Sequence, residues 1–167
     1  MSLHILTTKQ TLPCTLDEAW TFLSSPDNLK KITPPYMGFD ITSGFNQGDK
    51  MFAGMIITYD VKPIPFITMG WVTEITHVNA PYFFVDEQRF GPYTMWHHKH
   101  SLREVEGGVE MIDVVHYKIP LGFIGDIMNQ VYIKSQLKKI FNYRFHSLNK
   151  IIGEIPNQKP YLEFTSV

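Results

Sequence analysis

Cysteine is almost missing from this chain: Cys14 is the only one in 167 residues. No internal disulfide can form, which agrees with a reducing compartment. Cys14 lies beside Pro13, just ahead of a helix cap, and reads as a small buried hydrophobe. An excess of one charge is missing too, with 15 Lys and Arg against 16 Asp and Glu. Without a basic surplus, no nucleic-acid partner is expected. No apolar run approaches the ~20 residues that cross a bilayer. Residues 1–10 have neither the basic start nor the apolar stretch of a signal peptide, so a cytoplasmic location and no membrane span are expected. There is no GxSxG nucleophile turn, no P-loop, no GxGxxG and no HExxH, which removes the motif-based hydrolases, nucleotide enzymes and zinc proteases. No repeat or linker divides the chain, and its length suits one domain. That domain is expected over residues 1–153. Residues 154–167 read as a loose tail that docks through Tyr161, Leu162 or Phe164.

Rings are abundant. Aromatics make up 14%, with 12 Phe, 8 Tyr and 3 Trp, and there are 8 Met. Such residues build adaptable, ring-lined interiors.

In chain order, Leu3–Leu12 reads as an opening strand that Pro13 ends. Thr15-Leu16-Asp17-Glu18 is a capping box for a short helix through Leu23. Ser25-Pro26 starts a second short helix with proline at its first position, and Pro34-Pro35 stops it. Strand-like runs follow at Phe39–Thr42, Lys50–Val61 and Ile67–Val78, the last two parted by a Pro63-Ile64-Pro65 corner. Period-two alternation puts Met51, Ala53, Met55, Ile57, Tyr59 and Val61 on one face, and likewise Ile67, Met69, Trp71, Thr73 and Ile75. Tyr82–Phe90, Thr94–Val105 and Val109–Ile119 complete a meander, with Gly91-Pro92 and Gly107-Gly108 as turns. A long helix then runs to about Ile152, with Gly153 as its cap. Its second half carries a clean stripe of Leu137, Ile140, Phe141, Phe145, Leu148, Ile151 and Ile152. Gln130, Lys134 and Ser135 break the stripe in its first half, which either lies over a cavity or is partly exposed.

Several segments carry a family resemblance. They are Phe84-Val85-Asp86-Glu87-Gln88, Gly91-Pro92-Tyr93, Trp96-His97-His98-Lys99-His100, Val105-Glu106-Gly107-Gly108, Asp113-Val114-Val115-His116-Tyr117 and Pro120-Leu121-Gly122. Together they resemble bacterial members of the SRPBCC (polyketide cyclase/dehydrase-like) group of the START-like superfamily. The resemblance implies an α+β helix-grip fold: a seven-stranded curved antiparallel sheet around a long C-terminal helix, with two short helices between strands 1 and 2. It also implies a deep apolar cavity between sheet and helix. It names no reaction, and a fold alone does not supply one.

Chemistry-bearing side chains concentrate on the last hairpin. With Gly107-Gly108 as the turn, Glu106 pairs with Val109, and Trp96, His98, His100, Leu102, Met111, Asp113, Val115 and Tyr117 share the more apolar, inward face. His98, His100 and Asp113 then meet near Tyr117. Such a set can be a satisfied polar network that fixes the sheet, an anchor for a ligand, or an acid/base group. His98 and His100 also have a chelating spacing. A third ligand would have to be Asp113, Glu87 or Gln88, no cysteine helps, and no metal or other cofactor is expected. Along Asp86-Glu87-Gln88, either Asp86 and Gln88 or Glu87 faces inward. The expected ligand-binding set is Tyr59, Trp71, Gln88, Trp96, His98, His100, Asp113 and Tyr117. The expected partner is a small hydrophobic or aromatic molecule. The alternatives are a cyclase- or dehydratase-type enzyme with a cavity histidine as base and Tyr117 as donor, and an interaction module, including a homodimer.

Overall fold

The computed structural model describes residues 2–42, 48–64 and 66–167; of the anticipated proline corner, Pro65 lies outside the described residues. The first strand, β1, covers His4–Leu12. Helix α1 (Leu16–Leu23) starts on a complete capping box: the Thr15 hydroxyl accepts from the Glu18 amide, and the Glu18 carboxylate accepts from the Thr15 amide. Helix α2 (Pro26–Leu29) has Pro26 in its first turn, where a missing N–H costs nothing. Short 3-10 turns at Lys30–Ile32 and Pro35–Met37 follow.

The strands after them are β2 (Asp40–Ile41), β3 (Met55–Ile64), β4 (Ile67–Asn79), β5 (Phe83–Phe90), β6 (Met95–Val105) and β7 (Gly108–Lys118). Residues 50–54 are not part of β3: Ala53 and Gly54 form a turn, although Met51 is still buried. From Met55 onward the expected alternation holds, with Met55, Ile57, Tyr59 and Val61 buried. On β4 the buried residues are Trp71, Thr73 and Ile75, while Ile67 is exposed.

All pairings are antiparallel, in the order β2-β3-β4-β5-β6-β7-β1-β8. The sheet thus has eight strands, not seven. The added strand, β8 (Tyr161–Ser166), comes from the segment that reads as a tail, and it pairs along β1 from His4↔Ser166 to Lys9↔Tyr161. Register shifts at Val61/Ile64, Val72/Thr73 and Ile75/His77 interrupt the ladders. Such bulges bend and twist a sheet, and this one curves.

The last hairpin also departs from expectation. The turn is Glu106-Gly107, with Gly107 at φ 86, and Val105 pairs with Gly108. Gly108 is needed in the strand itself, because a Cβ there would lie 2.0 Å from the Leu12 carbonyl oxygen of β1. The pairing moves by two residues, so every side chain keeps its face. His100 now sits opposite Asp113 and His98 opposite Val115.

The C-terminal helix begins as α3 (Phe123–Met128), passes through a π-helical turn over Asn129–Ile133, and continues as α4 (Lys134–Ile152). Gly153 ends it, its amide donating to the Asn149 carbonyl. Leu137, Phe141 and Phe145 pack with Leu6, Val115, Tyr117 and Ile119 of the sheet. The Gln10 side chain of β1 fastens the helix end, donating to the Phe145 carbonyl at 3.0 Å and to Asn149 Oδ1 at 2.6 Å. Among the described residues, no helix is long and apolar enough to cross a membrane.

Candidate functional site

Three neighbouring strands and the helix bring five charged or titratable side chains together. Asp86 on β5 is paired with His98 on β6, and His100 with Asp113 on β7. Because side chains alternate along a strand, His98 and His100 emerge on the same face, two residues apart. Their rings lie 3.7 Å apart, centroid to centroid. His98 Nε2 is 3.0 Å from Asp113 Oδ1, and His100 Nδ1 is 2.7 Å from the same oxygen. The opposite ring nitrogens turn to Asp86: His100 Nε2 lies 2.8 Å and His98 Nδ1 3.5 Å from its Oδ2. Thr8 of β1 donates to the other Asp113 oxygen at 3.3 Å. Arg144 descends from α4, with one guanidinium nitrogen 3.8 Å from Asp113 Oδ1 and another 3.4 Å from His100 Nδ1. Phe84 stacks on His100 at 4.3 Å.

Electrostatics divide the two histidines. Burial works to lower the pKa of His100, but the hydrogen bonds and charges of Asp113 and Asp86 outweigh it, so the value is raised. For His98, burial and the neighbouring His100 win, and its pKa is lowered. Burial alone would raise Asp113; Arg144 and His100 instead hold it well below the usual carboxylate range. Asp86 is also lowered, by the two histidines and Arg144 against its burial. The carboxylates are thus held ionised, and of the two imidazoles His100 is the one that more readily keeps a second proton. Each buried carboxylate faces both imidazoles, and Arg144 adds a fixed positive charge beside Asp113, which is the kind of pairing a buried cluster requires.

This cluster forms one wall of a space of about 180 Å³. Asp86, His98, His100 and Arg144 are the charged or titratable residues lining it; Phe39, Tyr59, Trp71, Phe84, Tyr93 and Trp96 supply rings, and Ile133, Leu137, Ile140 and Phe141 roof it from the helix. Tyr59 and Trp71 stack at 5.9 Å, and both approach Thr73, whose hydroxyl lies 2.8 Å from the Tyr59 hydroxyl and accepts from the Trp71 indole at 3.0 Å. Burial, then the charge of Asp86, raises the Tyr59 pKa, so its hydroxyl stays protonated.

Of the expected site residues, Tyr59, Trp71, Trp96, His98 and His100 line the space; Asp113 lies directly behind the histidines and is fully buried. Two do not line it. The Gln88 side chain clamps the β5–β6 turn, donating to the Tyr93 carbonyl and accepting from its amide. Tyr117 donates its hydroxyl to Asn129 Oδ1 at 3.0 Å, at the π-helical turn. Asp86 settles the question left open on β5: it faces the space, while Glu87 pairs with Arg89. Arg144 is absent from the expected set. Its signal was present, since position 144 falls on the same helical face as Leu137, Phe141 and Leu148, where a lone arginine needs a buried counter-charge.

No family model matches the chain, and no curated protein matches it. Solved structures do. A START superfamily protein from Mycobacterium smegmatis has a TM-score of 0.66 at 10% identity, over 89% of this chain and 97% of that one. A protein from Chromobacterium violaceum has the same TM-score, 0.66, at 10% identity, over 91% and 99%. One from Rhodobacter sphaeroides has a TM-score of 0.61 at 18% identity, over 88% and 93%. Likeness at these identities is a likeness of fold. The chain has the START-like, helix-grip fold, with a charged His-Asp-Arg cluster standing on the inner face of its sheet.

Proposed function

We propose that this protein binds a small apolar or amphipathic molecule between the sheet and the C-terminal helix. The observation that carries this reading is the composition of the wall: rings and aliphatic side chains on most sides, with Asp86, His98, His100 and Arg144 gathered on one. Ligand sites have this character, a mainly apolar surface with a few convergent polar groups that fix orientation. The ligand's rings or chain pack on Trp71, Trp96 and Phe141, and its hydroxyl, carbonyl or carboxylate meets the charged cluster. Native mass spectrometry of protein purified from its own cells tests this. A bound mass that is released on unfolding is expected. Protein that emerges bare and also fails to take up a hydrophobic dye overturns the reading.

A second reading is acid/base chemistry of the cyclase or dehydratase kind. What favours it is the division of labour in the pair: the pKa of His100 is raised by its carboxylate partners, while that of His98 beside it is lowered by burial and by His100. Adjacent groups with pKa values pushed apart suit donation and acceptance of protons. Tyr117 is committed to Asn129, which leaves the histidines to carry both roles. Turnover of a carbonyl-bearing aromatic substrate that vanishes in His98→Ala while affinity persists supports catalysis. Binding with no turnover in wild-type protein removes it.

A further inference from the structure

We infer that Asp86, His98 and His100 form a binding site for a divalent first-row transition-metal ion, open to the ligand space. Three donor atoms converge: Asp86 Oδ2, His98 Nδ1 and His100 Nε2. All three lie within 4.8 Å of one another. Donors about 2.0–2.2 Å from a shared ion lie about 2.9–3.4 Å apart. The carboxylate oxygen is 2.8 Å from one imidazole nitrogen and 3.5 Å from the other, spacings close to those of donors on a shared ion.

The support behind these donors is the stronger observation. The remaining nitrogen of each ring, Nε2 of His98 and Nδ1 of His100, points to one oxygen of Asp113, at 3.0 and 2.7 Å. A carboxylate behind a metal-binding histidine holds the ring and keeps the proton on the far nitrogen, leaving the near lone pair for the ion. Here one fully buried carboxylate does this for two rings at once. Arg144 lies at the Asp113 end of the cluster, where its charge balances that carboxylate. Two imidazoles and one carboxylate suit zinc or ferrous iron. The coordination positions left open face the same space as Trp96 and Phe141, where a hydroxyl, carbonyl or carboxylate can complete the shell. The inference goes beyond the ligand reading, since uptake of an ion by these donors is measured with no ligand present.

The test is titration of chelator-treated full-length protein with Co2+, read by visible absorption and by equilibrium dialysis. One ion per chain is expected, displaced by Zn2+. Asp86→Asn should weaken it by about tenfold or more, and Asp113→Asn, which touches only the supports, by about ten- to a hundredfold. The control is His116→Ala. His97 and His116 form a second imidazole pair on the outer face, 5.9 Å apart, that can take up metal adventitiously; this change should leave the high-affinity ion in place. In wild-type protein, paramagnetic broadening of the His98, His100 and Trp96 ring signals gives the same answer without any variant. No binding at millimolar Co2+ overturns the inference. So does binding lost in His116→Ala, or broadening confined to His97 and His116.

Discussion

The two halves of the C-terminal helix have opposite relations to the sheet. In α4, Leu137, Phe141, Phe145 and Leu148 are all at most 3% exposed. In α3 and the π-helical turn, Ile124, Ile127 and Val131 face outward, at 47%, 57% and 78% exposure. The first half is held by polar contacts instead. Asn129, fully buried, accepts from Tyr117, and His4 of β1 reaches Asp126 at 3.3 Å. One half is locked by apolar burial and by the charged cluster, and the other is fastened at a few hydrogen bonds. The helical wall of the space against the sheet starts where they meet, at Ile133. Local opening favours regions with few buried apolar contacts, so the contrast places any entrance at the α3 half.

The largest effects should come from the locked half. Phe141→Ala removes a ring from both the core and the wall of the space beside the cluster and should cost about 3–5 kcal/mol in denaturant unfolding. Arg144→Met should cost a similar amount, about 3–5 kcal/mol, because the buried Asp113 carboxylate would lose the guanidinium charge beside it. An Arg144→Met protein as stable as wild type would mean that the cluster does not hold the charges assigned to it. In the fastened half, Tyr117→Phe leaves Asn129 Oδ1 without its partner and should cost about 1–3 kcal/mol. Val131→Ala should change stability by no more than about 0.5 kcal/mol. Hydrogen exchange should run faster over 123–133 than over 137–148, and equal protection would erase the comparison.

The locked half should also carry a pH signature. The folded pKa of His100 is raised above its ordinary value of about 6.5. Its contribution is therefore fully present below that ordinary value and is lost as pH rises through the raised one. The stability difference between wild type and His100→Gln should shrink as pH rises from about 6 into the alkaline range. A gap that stays constant over this range would show that His100 is not held protonated.

What the sequence revealed follows the range of the interactions. The Thr15–Glu18 capping box and the alternation from Met55 to Val61 are local, and they form as expected. The faces of β6 and β7 survived a two-residue change of register because side chains repeat every second position. The residue opposite His100 depended on the turn, and the turn depended on how closely Gly108 approaches Leu12. That is a contact between distant segments, which turn rules do not contain. β8 was hidden for the same reason: Tyr161–Ser166 is a short alternating run whose partner is the first strand. Asp86 was ambiguous because the bulges between β4 and β5 decide which side it faces. Arg144 was legible as an exception on an apolar helix face, but only the folded chain shows Asp113 beneath it.

The three tryptophans offer the most direct test of the central claim. Trp71 and Trp96 line the space between sheet and helix, and Trp20 on α1 does not. In nitrogen-15 correlated NMR spectra, titration with an anionic naphthalene dye should shift the indole N–H signals of Trp71 and Trp96 and leave that of Trp20 in place. A shift confined to Trp20, or three unmoved indoles under saturating dye, would contradict a binding site between sheet and helix.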